Sequence, residues 1–159
     1  MTAAELSGDV TTSGSNAATL AAKYKSRESC VDFGADNASS DLVDADIGPQ
    51  GRIFRVPVGG TVGEVAISAD AGTPSVMVQV NHAGTAADLT SAALATAASG
   101  GIACAKTSAV AGEDAVTTCS ATLQNTSLAA GDWIQTKTGS GFASTGAKRL
   151  SVCVAWTVN

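Results

Sequence analysis

The sequence predicts an all-β fold, a jelly-roll-like antiparallel β-sandwich with an extended N-terminal arm. Three observations lead there. From Val31 onward, short runs alternate apolar and polar residues with a period of 2, and clusters of Gly, Ser, Asp and Pro separate them. The last run is the longest: Leu150, Val152, Val154, Trp156 and Val158 take one side, and Ser151, Cys153, Ala155 and Thr157 the other. By contrast, Thr2 to Lys25 is mostly Ala, Ser, Thr and Gly and holds neither a strand nor a helix period, so it lacks the apolar surface to fold alone. A chain of 159 residues has room for one core of ordinary size. The division is an arm over 1–30 and a β-sandwich over 31–159.

The elements follow in order. Ala17 to Lys25 has the composition of a short helix capped by Ser15 or Asn16. Gly51 to Val58 sets Phe54, Val56 and Val58 against Ile53 and Arg55, and Pro57, which has no N–H to donate, makes it an edge strand or a strand near its end. Thr61 to Ala69 alternates Val65, Ile67 and Ala69 with Glu64, Ala66 and Ser68. After the turn cluster Asp70–Pro74, Ser75 to Asn81 alternates Val76, Val78 and Val80 with Met77, Gln79 and Asn81, so the two runs read as a hairpin. Ala83 to Ser99 fits a short helix or a loop over the rim. Ile102–Thr107 and Val116–Leu123 are strands, Asn125–Gly131 a turn, Asp132–Thr138 a strand, and Gly139–Gly146 a Gly/Ser turn before the final strand.

Composition excludes several function classes. A net charge of −5 with nine dispersed Lys and Arg does not suit a nucleic-acid partner, which needs a basic patch. No apolar run approaches the roughly 18–20 residues of a bilayer span, and Met1 to Gly8 carries Glu5 with no basic region leading into an apolar stretch, so neither a membrane nor a secretory signal is expected. One histidine, four cysteines and 14% charged residues leave little for acid–base or metal chemistry. The expectation is a protein that is not an enzyme and has no catalytic residues, bound metal or cofactor.

The remaining chemistry-bearing residues are few. Cys104 and Cys119 flank a segment whose Ala-Gly-Glu-Asp centre resembles a hairpin tip, which allows a disulfide between them and leaves Cys30 and Cys153 as the other pair; four buried thiols are the equal alternative. Asp32, Asp36, Asp41, Asp44 and Asp46 lack the order of a calcium loop and read as a solvated acidic loop. His82 reads as a loop histidine. Among the aromatics, Trp156 belongs to the core, while Phe142 in its Gly/Ser turn and Trp133 are candidate surface contacts, since aromatic faces suit sugar rings. Asn37-Ala-Ser39 and Asn125-Thr-Ser127 are chance matches to the glycosylation sequon.

Two stretches carry a resemblance. Leu6-Ser-Gly-Asp-Val-Thr-Thr-Ser-Gly14 with Asn16-Ala-Ala-Thr-Leu20 is similar to an arm segment of tailed-bacteriophage fibre and decoration-type virion proteins. Phe54-Arg-Val-Pro-Val58, Gly60-Thr-Val62, Ala66–Asp70, Val76–Val80, Leu128–Ile134 and Lys148–Val154 resemble a β-domain found near the ends of phage fibres. The resemblance implies a homotrimer on the virion surface. Its arm, through Leu6, Asp9, Val10, Leu20 and Tyr24, would meet sister subunits and other virion proteins, and its β-domain would face outward as a fibre tip touching a host surface glycan or as a capsid decoration. The rival reading is a carbohydrate-binding or adhesin module on a cell surface or fused to a hydrolase.

Overall fold

The computed structural model describes residues 10–12, 18–20, 25–35, 40–43, 46, 51–96, 101–106, 117–143 and 146–159; for 10–12, 18–20, 117–118, 120 and 138–143 it describes the backbone alone. The described strands are β1 (Val10–Thr12), β2 (Ala18–Leu20), β3 (Ser26–Gly34), β4 (Arg52–Arg55), β5 (Gly60–Ala69), β6 (Ser75–His82), β7 (Thr85–Asp88), β8 (Leu94–Ala95), β9 (Gly101–Lys106), β10 (Thr117–Thr122), β11 (Ser127–Leu128), β12 (Trp133–Ala143) and β13 (Arg149–Val158). The protein is all-β. Its larger sheet runs β10-β9-β5-β13-β3, with β11 also on β5, and its smaller sheet runs β4-β12-β6-β7, with β8 also on β6.

The pairing is nested. β6 pairs with β7, β5 with β9, β4 with β12 and β3 with β13, every pair antiparallel, as in one long hairpin whose tip is Ala83-Gly84. That ribbon is folded over: β13 also pairs with β5 to close the larger sheet, and β12 also pairs with β6 to close the smaller. Period-2 sequence makes this possible, because each strand offers one apolar face to the gap between sheets. Val65, Ile67, Leu150, Val152, Val154 and Trp156 fill it from one side, and Val76, Val78, Val80 and Ile134 from the other. Leu42, Val56, Leu89, Leu94 and Leu128 complete the same core. Burial of each such aliphatic contributes about 1.5–3 kcal/mol before entropy costs.

Two details fix the register. Gly60 sits where β5 closes on β13, and a Cβ there would overlap the Thr157 carbonyl oxygen, so only glycine permits the approach. Thr136 points into the core, yet its N–H and its hydroxyl both donate to the Gly51 carbonyl, at 2.8 and 3.2 Å, which satisfies the buried polar group. Trp156 stacks on Phe54 at 5.0 Å between ring centroids, and its indole N–H is the one buried side-chain group among the described residues with no hydrogen-bond partner.

Several expectations change. Thr61–Ala69 and Ser75–Asn81 are not a hairpin: they are β5 and β6, in different sheets, and the Asp70–Pro74 turn carries the chain across because each run needs its own apolar face buried. The strands flanking 107–116 are parallel, not a hairpin, with Cys104 opposite Cys119 in register. Ala18–Leu20 is a strand paired antiparallel with β1 rather than part of a helix. Ala83–Ser99 contains β7 and β8, and β12 runs on through Ala143 into the expected Gly/Ser turn. β3 begins at Ser26, five residues before the expected domain boundary, and pairs with β13 along its whole length. In β4 the alternation breaks. Phe54 and Ile53 both pack on the core, because a register shift inserts one extra residue opposite the Ile134/Gln135 step, and Val58, beyond the end of β4, is exposed.

Candidate functional site

That register shift shapes the outer face of the smaller sheet. Arg52 and Arg55 are three residues apart, so a regular strand would send them to opposite faces. With the extra residue accommodated at Ile53, Arg55 lies opposite Trp133 and Arg52 opposite Gln135, and both arginines are exposed on the face that carries Trp133, Gln135 and Lys137. The Arg52 guanidinium lies over the Trp133 ring, 4.8 Å from its centroid. Arg55 Nε donates to the Gly131 carbonyl at 3.4 Å. Among the described residues, no carboxylate pairs with either arginine.

Beside them runs a directional chain of amides. Asn81 Nδ2 donates to Gln135 Oε1 at 3.2 Å, Gln135 Nε2 to Gln79 Oε1 at 3.4 Å, and Gln79 Nε2 to Asp88 Oδ1 at 2.7 Å. Lys137 Nζ closes the chain on Asp88 at 3.5 Å, and Asn81 Oδ1 accepts the Gly84 N–H at 3.0 Å. Three strands place these groups: Gln79 lies directly opposite both Gln135 and Asp88. Gln135 is nearly buried, while Asn81 and Gln79 are half exposed. Each amide spends one N–H inside the chain and keeps a second.

The turn before β12 holds the nearest approach to acid–base chemistry. His82 Nδ1 lies 2.6 Å from Asp132 Oδ1, and the second Asp132 oxygen accepts the Ala129 N–H at 2.8 Å. Both side chains line a cavity of about 280 Å³ with Val80, Asn125, Ser127 and Ala129. This pair is invisible to sequence reading, since the partners are separated by 50 positions. A nucleophilic serine would need its hydroxyl on the second ring nitrogen, and among the described hydrogen bonds none joins Ser127 to His82. The pair ties the Ala83 turn to the β12 turn.

At the opposite end of the sandwich, carboxylates hold the start of β13. Asp70 Oδ1 accepts the N–H groups of Lys148 and Arg149, both at 3.1 Å. Burial pushes Asp70 up, but those two N–H groups, with its own and that of Ala71, outweigh it and hold the carboxyl below its ordinary range. Asp41 is held low first by its hydrogen bond from Lys148, at 2.7 Å, and then by the Gly146 N–H. Asp46 accepts the Val43 N–H at 2.7 Å. Of the five carboxylates in the expected solvated acidic loop, Asp41 and Asp46 each fasten backbone, as Asp70 does outside that loop. Asp32 lies in β3, and Asp36 and Asp44 are outside the described residues. Asp32, Ser68, Asp70, Arg149 and Ser151 border an open depression of about 500 Å³.

The larger sheet's outer face carries the cysteines in one row. Cys30 lies opposite Cys153, Cys153 opposite Ala66, Ala66 opposite Cys104, and Cys104 opposite Cys119. Disulfides join Cys30 to Cys153 and Cys104 to Cys119, with Cα separations of 4.0 and 4.3 Å. Glu28 lies beside the first bridge, but sulfurs bonded to each other are not thiolate ligands.

Of the residues singled out from sequence, Trp133 stands on the amide face. Leu6, Asp9 and Tyr24 lie outside the described residues. Val10 and Leu20 oppose each other in the β1–β2 pair, and Phe142 lies in β12 opposite Val76; only their backbones are described. Sequence reasoning missed Arg52, Gln79, Asn81, Gln135 and Asp132, whose significance arises from pairing across strands. Comparison with protein families, with curated proteins and with solved structures finds no match to this chain.

Proposed function

We propose that this chain is a non-enzymatic structural protein on the surface of a tailed-phage virion, built as a jelly roll and assembled as a trimer. The observation that carries the reading is the nested order of eight strands, β3·β13, β4·β12, β5·β9 and β6·β7, folded over into two sheets. A ribbon of four antiparallel pairs rolled in that way is the double Greek key of a jelly roll, an architecture recurrent in viral capsid and lectin domains. The two disulfides agree with a position on the outside of a particle, where the medium is oxidising. The larger sheet suits subunit contact: Ala66, Ser68, Ser151, Cys153 and Ala155 are small, and Ile102 is 44% exposed beside them. The arm anchors the chain to sister subunits and to other virion proteins.

A second reading, a carbohydrate-binding module, is favoured by Trp133 and the amide chain on the smaller sheet. Sedimentation of the full chain and of a form lacking residues 2–25, which spares β3, tests the main reading. Trimers in both forms put the threefold contact in the sandwich, and trimers lost on truncation put it in the arm. Monomers in both overturn the assembly.

A further inference from the structure

We propose that the outer face of the smaller sheet binds an acidic sugar chain, with Arg52 and Arg55 meeting a carboxylate and Trp133, Asn81 and Gln79 meeting the pyranose rings. Charge is the first argument. The chain carries 14 acidic against nine basic residues, yet among the described residues this face presents Arg52, Arg55 and Lys137 against Asp88 alone, and Lys137 already pairs with Asp88. The two arginines are left with an aromatic ring and a backbone carbonyl as their contacts. A planar guanidinium matches a carboxylate in two-point geometry, and such a pair is stronger than a neutral hydrogen bond.

The backbone supplies the second argument. A bulge costs a ladder position, and here it turns Arg52 outward beside Arg55 while both intervening residues pack on the core. Bulges recur where a side chain must be re-aimed. The amide chain supplies the third. Sugar hydroxyls both donate and accept, and the remaining N–H and lone pairs of Asn81 and Gln79 offer both in a row along one face of β6. Gln135, nearly buried between them, is a positioning residue: it fixes the orientation of its two neighbours. Trp133 lends an aromatic body next to the charges.

The inference rests on the sandwich being an exposed, outward-facing module and not on its assembly into trimers. The test is calorimetric titration of the full chain with oligomers of galacturonate, glucuronate and N-acetylneuraminate. Methyl-esterified oligogalacturonate, neutral on the same backbone, and inorganic phosphate serve as controls. At least one acidic oligomer should bind, the esterified one at least tenfold more weakly than its acid, and binding should weaken as salt rises. R52Q/R55Q should lose at least tenfold in affinity with its melting temperature kept, and Gln135→Leu should weaken binding less than Trp133→Ala. Failure of all three acidic oligomers, equal binding of the ester, unchanged affinity of R52Q/R55Q, or displacement by phosphate at the same concentration overturns the proposal. Oligomeric state, read in the same samples, separates the two ideas. A trimer that binds none of the oligomers breaks this inference alone, and a monomer that binds breaks the assembly alone.

Discussion

The two sheets share one core and differ in everything turned outward. On the larger sheet, cross-strand disulfides tie β3 to β13 and β9 to β10, and Ala66 stands in the row between them. The smaller sheet has no bridge among its described residues; its outer face is held by amides that hydrogen-bond from strand to strand and leave donors to spare. Covalent ties restrict the unfolded chain without occupying polar groups, whereas an amide chain orders groups that remain able to bind. Covalent ties and hydrogen-bonding groups with capacity to spare are thus placed on opposite sides of the same sandwich.

Removing the ties should give the largest effect. Cys30 and Cys153 are 123 positions apart, Cys104 and Cys119 only 15. Loop-closure entropy predicts a loss of about 4–5 kcal/mol for the paired Cys30→Ser/Cys153→Ser change and about 3 kcal/mol for the other pair. Urea denaturation checks both values. Equal losses would mean that the unfolded chain keeps structure around the longer closure. Ile67 and Ile134 next test whether the core is truly common: both are fully buried, one from each sheet, so Ile67→Ala and Ile134→Ala should each cost about 2–5 kcal/mol. A cost confined to Ile67 would mean that only the bridged sheet carries the fold.

What the sequence revealed divides along the same line. Alternation in Thr61–Ala69, Ser75–Asn81 and Arg149–Val158 identified the inward residues, because burial on one face of a strand is a local property. The hairpin assigned to the first two runs failed because alternation says which face is buried and not which sheet the strand joins. Arg52 and Arg55 were illegible for a related reason: their shared face depends on a bulge set by β12, nearly 80 residues further along the chain. His82 and Asp132 meet only because the ends of β6 and the turn before β12 are neighbours in space. Trp133 could face either way on the sequence alone, and its place on the outer face follows from its pairing with Arg55 and Asn81 across the sheet.

Asp132 and Gln135 give intermediate effects that sharpen the contrast. Asp132→Ala leaves the Ala129 N–H without its carboxylate acceptor in a nearly buried turn and should cost about 1–3 kcal/mol in thermal or urea unfolding. Gln135→Leu removes one acceptor and one donor from half-buried amides that water can still reach, so about 1 kcal/mol is expected. If Gln135→Leu cost as much as losing a disulfide, the smaller sheet would depend on its outer face for stability as the larger sheet depends on its bridges.

Acid should bring the smallest effect, confined to one end of the sandwich. Asp41 and Asp70 both titrate below the ordinary carboxylate range, so each favours the folded chain when ionised. Their contribution is complete above the unfolded value, near pH 4, and falls away as pH drops through the lower folded value. Both are solvent-exposed, which keeps the contribution small. The groups they hold are the N–H of Gly146, Lys148 and Arg149, at the entry to β13. Hydrogen exchange, corrected for its intrinsic pH dependence, should therefore show these amides losing protection as pH drops below about 4 and through the lower folded values, while those of Val152 and Val154 keep theirs. Asp70→Asn should lower the protection of Lys148 and Arg149 at pH 4.5 and flatten its dependence on acid. Loss of protection along the whole of β13 at pH 3 would instead mean that the bridge to β3 does not isolate the strand from its end, and the division between a stapled sheet and a hydrogen-bonded one would weaken.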